Sequence, residues 1–140
     1  MINLYTDGSS TGRNNREWGW GWVLVGSGGQ ELASDFGGGP TGTNNMGELQ
    51  GAIEGLTYVF DKFNYSRITL VSDSLYVLKI ASGEFTPKKN LDQCKELRLL
   101  YLLLKADQKW IRGHSGDKFN NLADQLSKQG KGLYAPNKNL

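Results

Sequence analysis

From Ile2 to Thr6 apolar and polar residues alternate and run into Asp7-Gly8-Ser9-Ser10, a pattern that predicts a strand ending in a turn. Residues 10–17 are polar and read as a loop. Trp18 to Val25 forms a second strand, Gly26 to Gly29 a hairpin-like turn, and Gln30 to Phe36 a third strand stopped by Gly37-Gly38-Gly39-Pro40. The period then changes. Leu49, Ile53, Leu56 and Phe60 recur at helical spacing, and Asn44 or Asn45 can cap that helix by offering a side-chain acceptor to free backbone amides. Gly47, Gly51 and Gly55 make a second stripe, each costing about 1 kcal/mol against alanine. A close backbone neighbour would offset that cost.

Arg67 to Ser72 reads as a buried strand ending at Asp73-Ser74, and Leu75 to Ala81 as a short helix. After a connection containing Pro87, Asn90 caps a helix with the stripe Leu91, Cys94, Leu97, Tyr101 and Leu104, and Gln93 is spaced to close a capping box. Lys109 to Arg112 is a fifth strand, and Gly113 to Gly116 a loop. Asp117 caps a last helix that turns Phe119, Leu122, Ala123 and Leu126 inward and stops at Gly130. The expected unit is one domain over 1–130 with a flexible tail over 131–140. Three strands in a meander, followed by strands each preceded by helix, predict an α/β fold. Its sheet has five strands, three antiparallel and then two parallel.

At 140 residues one core can form without staples. A single cysteine, Cys94, forms no internal disulfide and suits a reducing compartment, so a cytoplasmic protein is expected. No basic leader or long apolar run is seen, which argues against a typical secretory signal and a membrane span. Net charge is +2 but uneven. Residues 1–60 hold two basic and six acidic side chains, a balance of −4, and residues 61–140 hold fourteen and eight, a balance of +6. A metal site beside a phosphate-binding surface has this signature; so does scattered surface charge.

Asp7 and Asp73 each end a strand before a small residue. If those strands are parallel neighbours, both carboxylates emerge at the carboxyl end, where open α/β sheets bind ligands. Glu48 falls in the first turn of the helix after the third strand, and Asp124 lies one turn beyond Asn120 in the last helix. Singly, each has a plain explanation as a turn former, a dipole partner or a solvated helix residue. Together they would repel one another unless cations neutralised them. Two Mg²⁺ ions roughly 4 Å apart do this while activating water for phosphoryl transfer.

Tyr5-Thr6-Asp7-Gly8-Ser9, Thr43-Asn44-Asn45-Met46-Gly47-Glu48-Leu49, Ser72-Asp73-Ser74-Leu75-Tyr76-Val77 and Gly113-His114-Ser115-Gly116 are followed by Asn120 and Asp124. In order and spacing, this set resembles ribonuclease H type 1 over nearly the whole chain. The resemblance implies a five-stranded mixed sheet with helices on both faces. It implies hydrolysis of the RNA strand of RNA–DNA hybrids, leaving 5′-phosphate and 3′-hydroxyl ends. It makes Asp7, Glu48, Asp73 and Asp124 the carboxylates that hold two Mg²⁺ (Mn²⁺ substituting), and His114 a loop histidine assisting proton transfer or product departure. Asn44 and Asn45 match minor-groove contacts that sense the 2′-hydroxyl. Thr43 matches a phosphate contact, and Asn120 a partner of Asp124 or of the site's waters. A monomer is expected.

Three departures bear on substrate binding. The usual Pro/Gly-rich segment after the first strand is Arg13-Asn14-Asn15-Arg16-Glu17-Trp18, where Arg13 and Arg16 can supply phosphate contacts. Leu75 replaces a frequent glutamine. The basic protrusion of many bacterial members is reduced to residues 82–90, leaving Lys88 and Lys89 for phosphates and predicting salt-sensitive binding. The Trp18, Trp20, Trp22 stripe shares one face and suits core packing better than stacking on bases. Two rival functions remain: a DNA-cutting nuclease on the same scaffold, opposed by Asn44-Asn45 and the His114 loop, and an inactive hybrid-binding module, opposed by the complete carboxylate set.

Overall fold

The computed structural model describes residues 1–12, 16–63 and 66–135. Its elements run β1 (Ile2–Ser10), β2 (Arg16–Val25), β3 (Glu31–Gly42), α1 (Asn44–Lys62), β4 (Ile68–Ser72), α2 (Leu75–Ser82), α3 (Leu91–Leu103), β5 (Asp107–Trp110) and α4 (Lys118–Gly132). One sheet has the order β3-β2-β1-β4-β5. β1–β2 and β2–β3 are antiparallel, while β1–β4 and β4–β5 are parallel. This is the α/β mixed sheet expected from the order of elements.

The central strands are apolar on both faces because both faces are covered. Leu4, Trp22, Leu24 and Leu70 pack with Leu49, Ile53, Leu56 and Val59 of α1, and with Val77, Leu78, Cys94 and Leu97. Val23 and Val25 point the other way and pack with Ala123, Tyr5, Phe119, Leu122 and Leu126. Trp22 is buried and stacks against Tyr58 with centroids 5.0 Å apart, so this part of the tryptophan stripe does serve the core.

Several elements depart from the expected bounds, each for a local reason. β1 continues to Ser10 because β2 pairs with it as far as Ser10↔Trp18. β3 runs through Gly37-Gly38-Gly39-Pro40 instead of stopping there. A β-carbon on Gly39 would come 2.6 Å from the Trp18 indole nitrogen, and one on Gly37 2.5 Å from the Trp20 ring. Those glycines make room for tryptophans, and Pro40 is tolerated because β3 is an edge strand. α1 is capped by Thr43, whose Oγ1 accepts from the Met46 amide at 3.3 Å, not by Asn44 or Asn45. Its apolar stripe ends on buried Val59, leaving Phe60 40% exposed. The Gly47, Gly51, Gly55 stripe does meet close neighbours: the Gly19 carbonyl, the Asp7 carbonyl and the Leu4 side chain, respectively.

Asn90 takes a left-handed conformation (φ 55°) and makes no side-chain cap. Gln93 therefore closes no capping box; its amide donates to the Met46 carbonyl (3.2 Å) and Gln50 Oε1 (3.0 Å), tying α3 to the start of α1. Leu91 is exposed, outside the stripe. β5 lies two residues earlier than expected, paired Thr69↔Asp107 through Ser72↔Trp110. Asp117 caps α4 as expected, accepting from the Phe119 and Asn120 amides at 3.0 and 2.9 Å. α4 passes Gly130 because the missing side chain lets that residue sit on the Gly37 backbone. Of the expected tail, residues 136–140 lie outside the described residues. No described helix is long and apolar enough to cross a membrane.

Candidate active site

The sheet opens at the carboxyl ends of β1 and β4. Parallel pairing between them stops at Tyr5↔Val71, while β1 continues along β2, so Asp7 sits inside a strand at the point where β4 has let go. Asp73 directly follows Ser72, the last residue of β4. Glu48 lies just past the first turn of α1, one step later than expected, and is buried. One carboxylate oxygen from each of Asp7, Glu48 and Asp73 lies within 4.8 Å of the others. Asp124 stands outside this trio but lines the same cavity of about 180 Å³, together with Gly8, Asn44, His114, Asn120 and Asn121. The expected four-way gathering is thus three carboxylates in a cluster and a fourth at the cavity wall.

Burial dominates the electrostatics. It pushes the Asp7 carboxyl up to about 7; a hydrogen bond with Glu48 acts against this, and the charge of Asp73 and contact with Asp124 add to it. Glu48 is raised well above the usual carboxylate range, first by burial and then by the charge of Asp7. Asp73 is also raised by burial, partly countered by a hydrogen bond from Asn120 and by the nearby His114. Among the described residues no lysine or arginine pairs with Asp7, Glu48 or Asp73. Glu48 Oε2 and Asn120 Oδ1 are buried without a hydrogen-bond partner there. Buried, uncompensated oxygen donors around a small cavity fit a hard cation such as Mg²⁺.

The frame around these groups is tight. The Gly8 amide donates to Asp7 Oδ1 at 2.9 Å. A β-carbon on Gly113 would stand 3.0 Å from Asp73 Oδ2, and the Trp110 indole donates to the Asp73 carbonyl at 3.1 Å. His114 is exposed on the following turn with φ 57°, a left-handed conformation uncommon outside glycine. Ser127 Oγ donates to the Asp124 carbonyl at 2.8 Å, and Lys128 Nζ lies 3.0 Å from Asp124 Oδ2.

The expected substrate residues divide between two cavities. Asn44 and Asn120 line the acidic one. Thr43, Asn45, Lys88 and Lys89 line a neighbouring cavity of about 480 Å³ with Tyr76, Ile80 and Phe85. Consecutive residues of the α1 start therefore serve both. Arg13 lies outside the described residues. Sequence reasoning passed over Gly8, Asn121, Phe85 and Lys128. Only Lys128 had a readable signal, the four-residue helical spacing from Asp124.

The RNase H family model matches residues 1–131. The chain belongs to the RNase H family. A ribonuclease H of Pseudomonas paraeruginosa is 34% identical, with 93% of each chain covered. Among solved structures, the N-terminal RNase H domain of a Mycobacterium tuberculosis protein superposes with a TM-score of 0.83 at 23% identity, covering 95% of this chain and 94% of that one. LC11-RNase H1, solved in complex with an RNA/DNA hybrid, gives 0.81 at 18% identity, covering 95% and 98%. At those identities the two structures speak for the RNase H fold, and the sequence match speaks for the family.

Proposed function

We propose that this chain hydrolyses the RNA strand of RNA–DNA hybrids with two divalent metal ions, leaving 5′-phosphate and 3′-hydroxyl ends. The observation that carries the reading is the clustering of Asp7, Glu48 and Asp73 oxygens within 4.8 Å at the open end of an RNase H sheet. Asp7, Glu48 and Asp73 would hold one Mg²⁺, and Asp7 with Asp124 a second, with Mn²⁺ as a substitute. Such a pair supplies an activated water and charge neutralisation for an in-line displacement at phosphorus.

The chain's own residues have distinct tasks. The buried carboxylates give up their protons to become ligands. Asn120, beside Asp73, favours the charged form of that carboxylate. His114, exposed on its turn and lining the cavity, is assigned the exchange of a proton at the departing oxygen. Asn44 and Asn45, which line the acidic and the neighbouring cavity respectively, are assigned to reading the 2′-hydroxyl, and Thr43, Lys88 and Lys89, along the neighbouring cavity, to the other strand's phosphates. A monomer in a reducing, cytoplasmic setting is the working form, in keeping with the single buried Cys94.

The test is to offer labelled RNA–DNA hybrid, duplex RNA and duplex DNA with Mg²⁺ or Mn²⁺, and to map the product ends. Cleavage of hybrid alone, lost in Asp7→Asn while the fold is kept, is the expected result. Cutting of duplex DNA, or an active Asp7→Asn variant, would overturn the reading.

A further inference from the structure

Asp124 is the member of the acidic site that carries its own counter-ion. Lys128 stands one turn further along α4 with Nζ 3.0 Å from Asp124 Oδ2. Carboxylate first and lysine four residues later is the order a helix favours. The lysine side chain is 58% exposed, so it can leave without disturbing packing, and a pair this open adds little to folding. Asp7, Glu48 and Asp73 have no such partner among the described residues, and Glu48 Oε2 is buried with none. The site is therefore divided into three carboxylates left for an outside cation and one neutralised from within.

We propose that Lys128 occupies the Asp124 side of the site until a second divalent ion displaces it, and so makes the two ions bind in sequence. The inference rests on the metal reading given above. An ion entering among Asp7, Glu48 and Asp73 meets uncompensated charge. One that needs Asp124 must first free its carboxylate from the ammonium and then bear the remaining repulsion from it. Lys128 is thus a positioning residue: it sets the ion concentration at which Asp124 becomes a ligand.

The test is calorimetric titration of the whole chain with Mn²⁺, without nucleic acid, for the parent, Lys128→Met and Lys128→Arg. The parent is expected to show a tighter and a weaker step. Lys128→Met should strengthen the weaker step roughly tenfold, about 1.4 kcal/mol, and leave the tighter one within about twofold; Lys128→Arg should keep the parent's isotherm. Melting in chelator checks that the fold is kept, with Lys128→Gln as the alternative if Lys128→Met fails. Identical isotherms for parent and Lys128→Met overturn the proposal and leave the metal reading standing. Equal strengthening of both steps overturns it too, because that marks a diffuse charge effect. No divalent binding by the parent overturns the metal reading, and this inference with it.

Discussion

Gly8 and Glu48 are in backbone contact: the position a β-carbon would take on Gly8 is already filled by the Glu48 amide nitrogen and the Gly47 carbonyl carbon. The contact sets how closely α1 approaches β1, and so how near the Glu48 carboxylate comes to Asp7. Gly8→Ala should push the start of α1 outward, costing about 1–3 kcal/mol of stability and weakening divalent-ion binding. Gly12→Ala is the control, since nothing among the described residues lies within 4 Å of that position. Chemical denaturation in chelator, followed by Mn²⁺ titration, reads both effects. A Gly8→Ala protein as stable as its parent and equally able to bind the ion would contradict the packing argument.

Asp7 and Glu48 also make metal-free stability depend on pH. Their native pKa values lie above the unfolded ones, with Asp7 at about 7. The native state therefore holds extra protons between the ordinary carboxylate range and about pH 7. Linkage gives the sign: this contribution is fully present in acid and is lost as pH rises through about 7. In chelator, the parent should lose roughly 1–3 kcal/mol relative to Asp7→Asn between about pH 4 and pH 8. Mg²⁺ should restore more stability at the upper pH, where fewer protons have to be displaced. Urea titrations of both proteins across that range check it; parallel pH profiles would refute the assignment.

The element order and strand pairing were legible because both rest on periodicity, which neighbouring residues report. Asp73 was legible because it follows a strand end on the chain, whereas Asp7 lies inside β1 and reaches the site because β4 stops pairing with β1 before it. What sequence did not reveal depends on a neighbour far along the chain. Gly37-Gly38-Gly39 reads as a strand terminator until Trp18, Trp20 and Gly130 are laid against it. Gln93 reads as half of a capping box until α3 is seen to lean on Met46 and Gln50. Asp124 is the exception, since its partner Lys128 lies only one helical turn away and the pairing was readable from that spacing.

His114 is held in a left-handed turn with its ring exposed beside Asp73, an arrangement that serves proton exchange better than packing. His114→Ala should lower the single-turnover cleavage rate roughly a hundredfold, with melting temperature and Mn²⁺ affinity almost unchanged. Weaker ion binding in the variant would instead make the histidine a structural neighbour of the carboxylates.

Lys88 and Lys89 line the larger cavity and stay clear of the acidic one, so their contribution should fall on binding and not on chemistry. Each lysine that neutralises a phosphate releases condensed counter-ions, and the logarithm of affinity falls with the logarithm of salt by about 0.9 per contact. Changing both to alanine should therefore make the salt dependence of hybrid binding shallower by roughly two units. Affinity should drop most at low salt, and cleavage at saturating substrate should hold. Binding measured in an Asp7→Asn background, where the hybrid is not consumed, isolates the effect. An unchanged slope would mean that the phosphates run elsewhere.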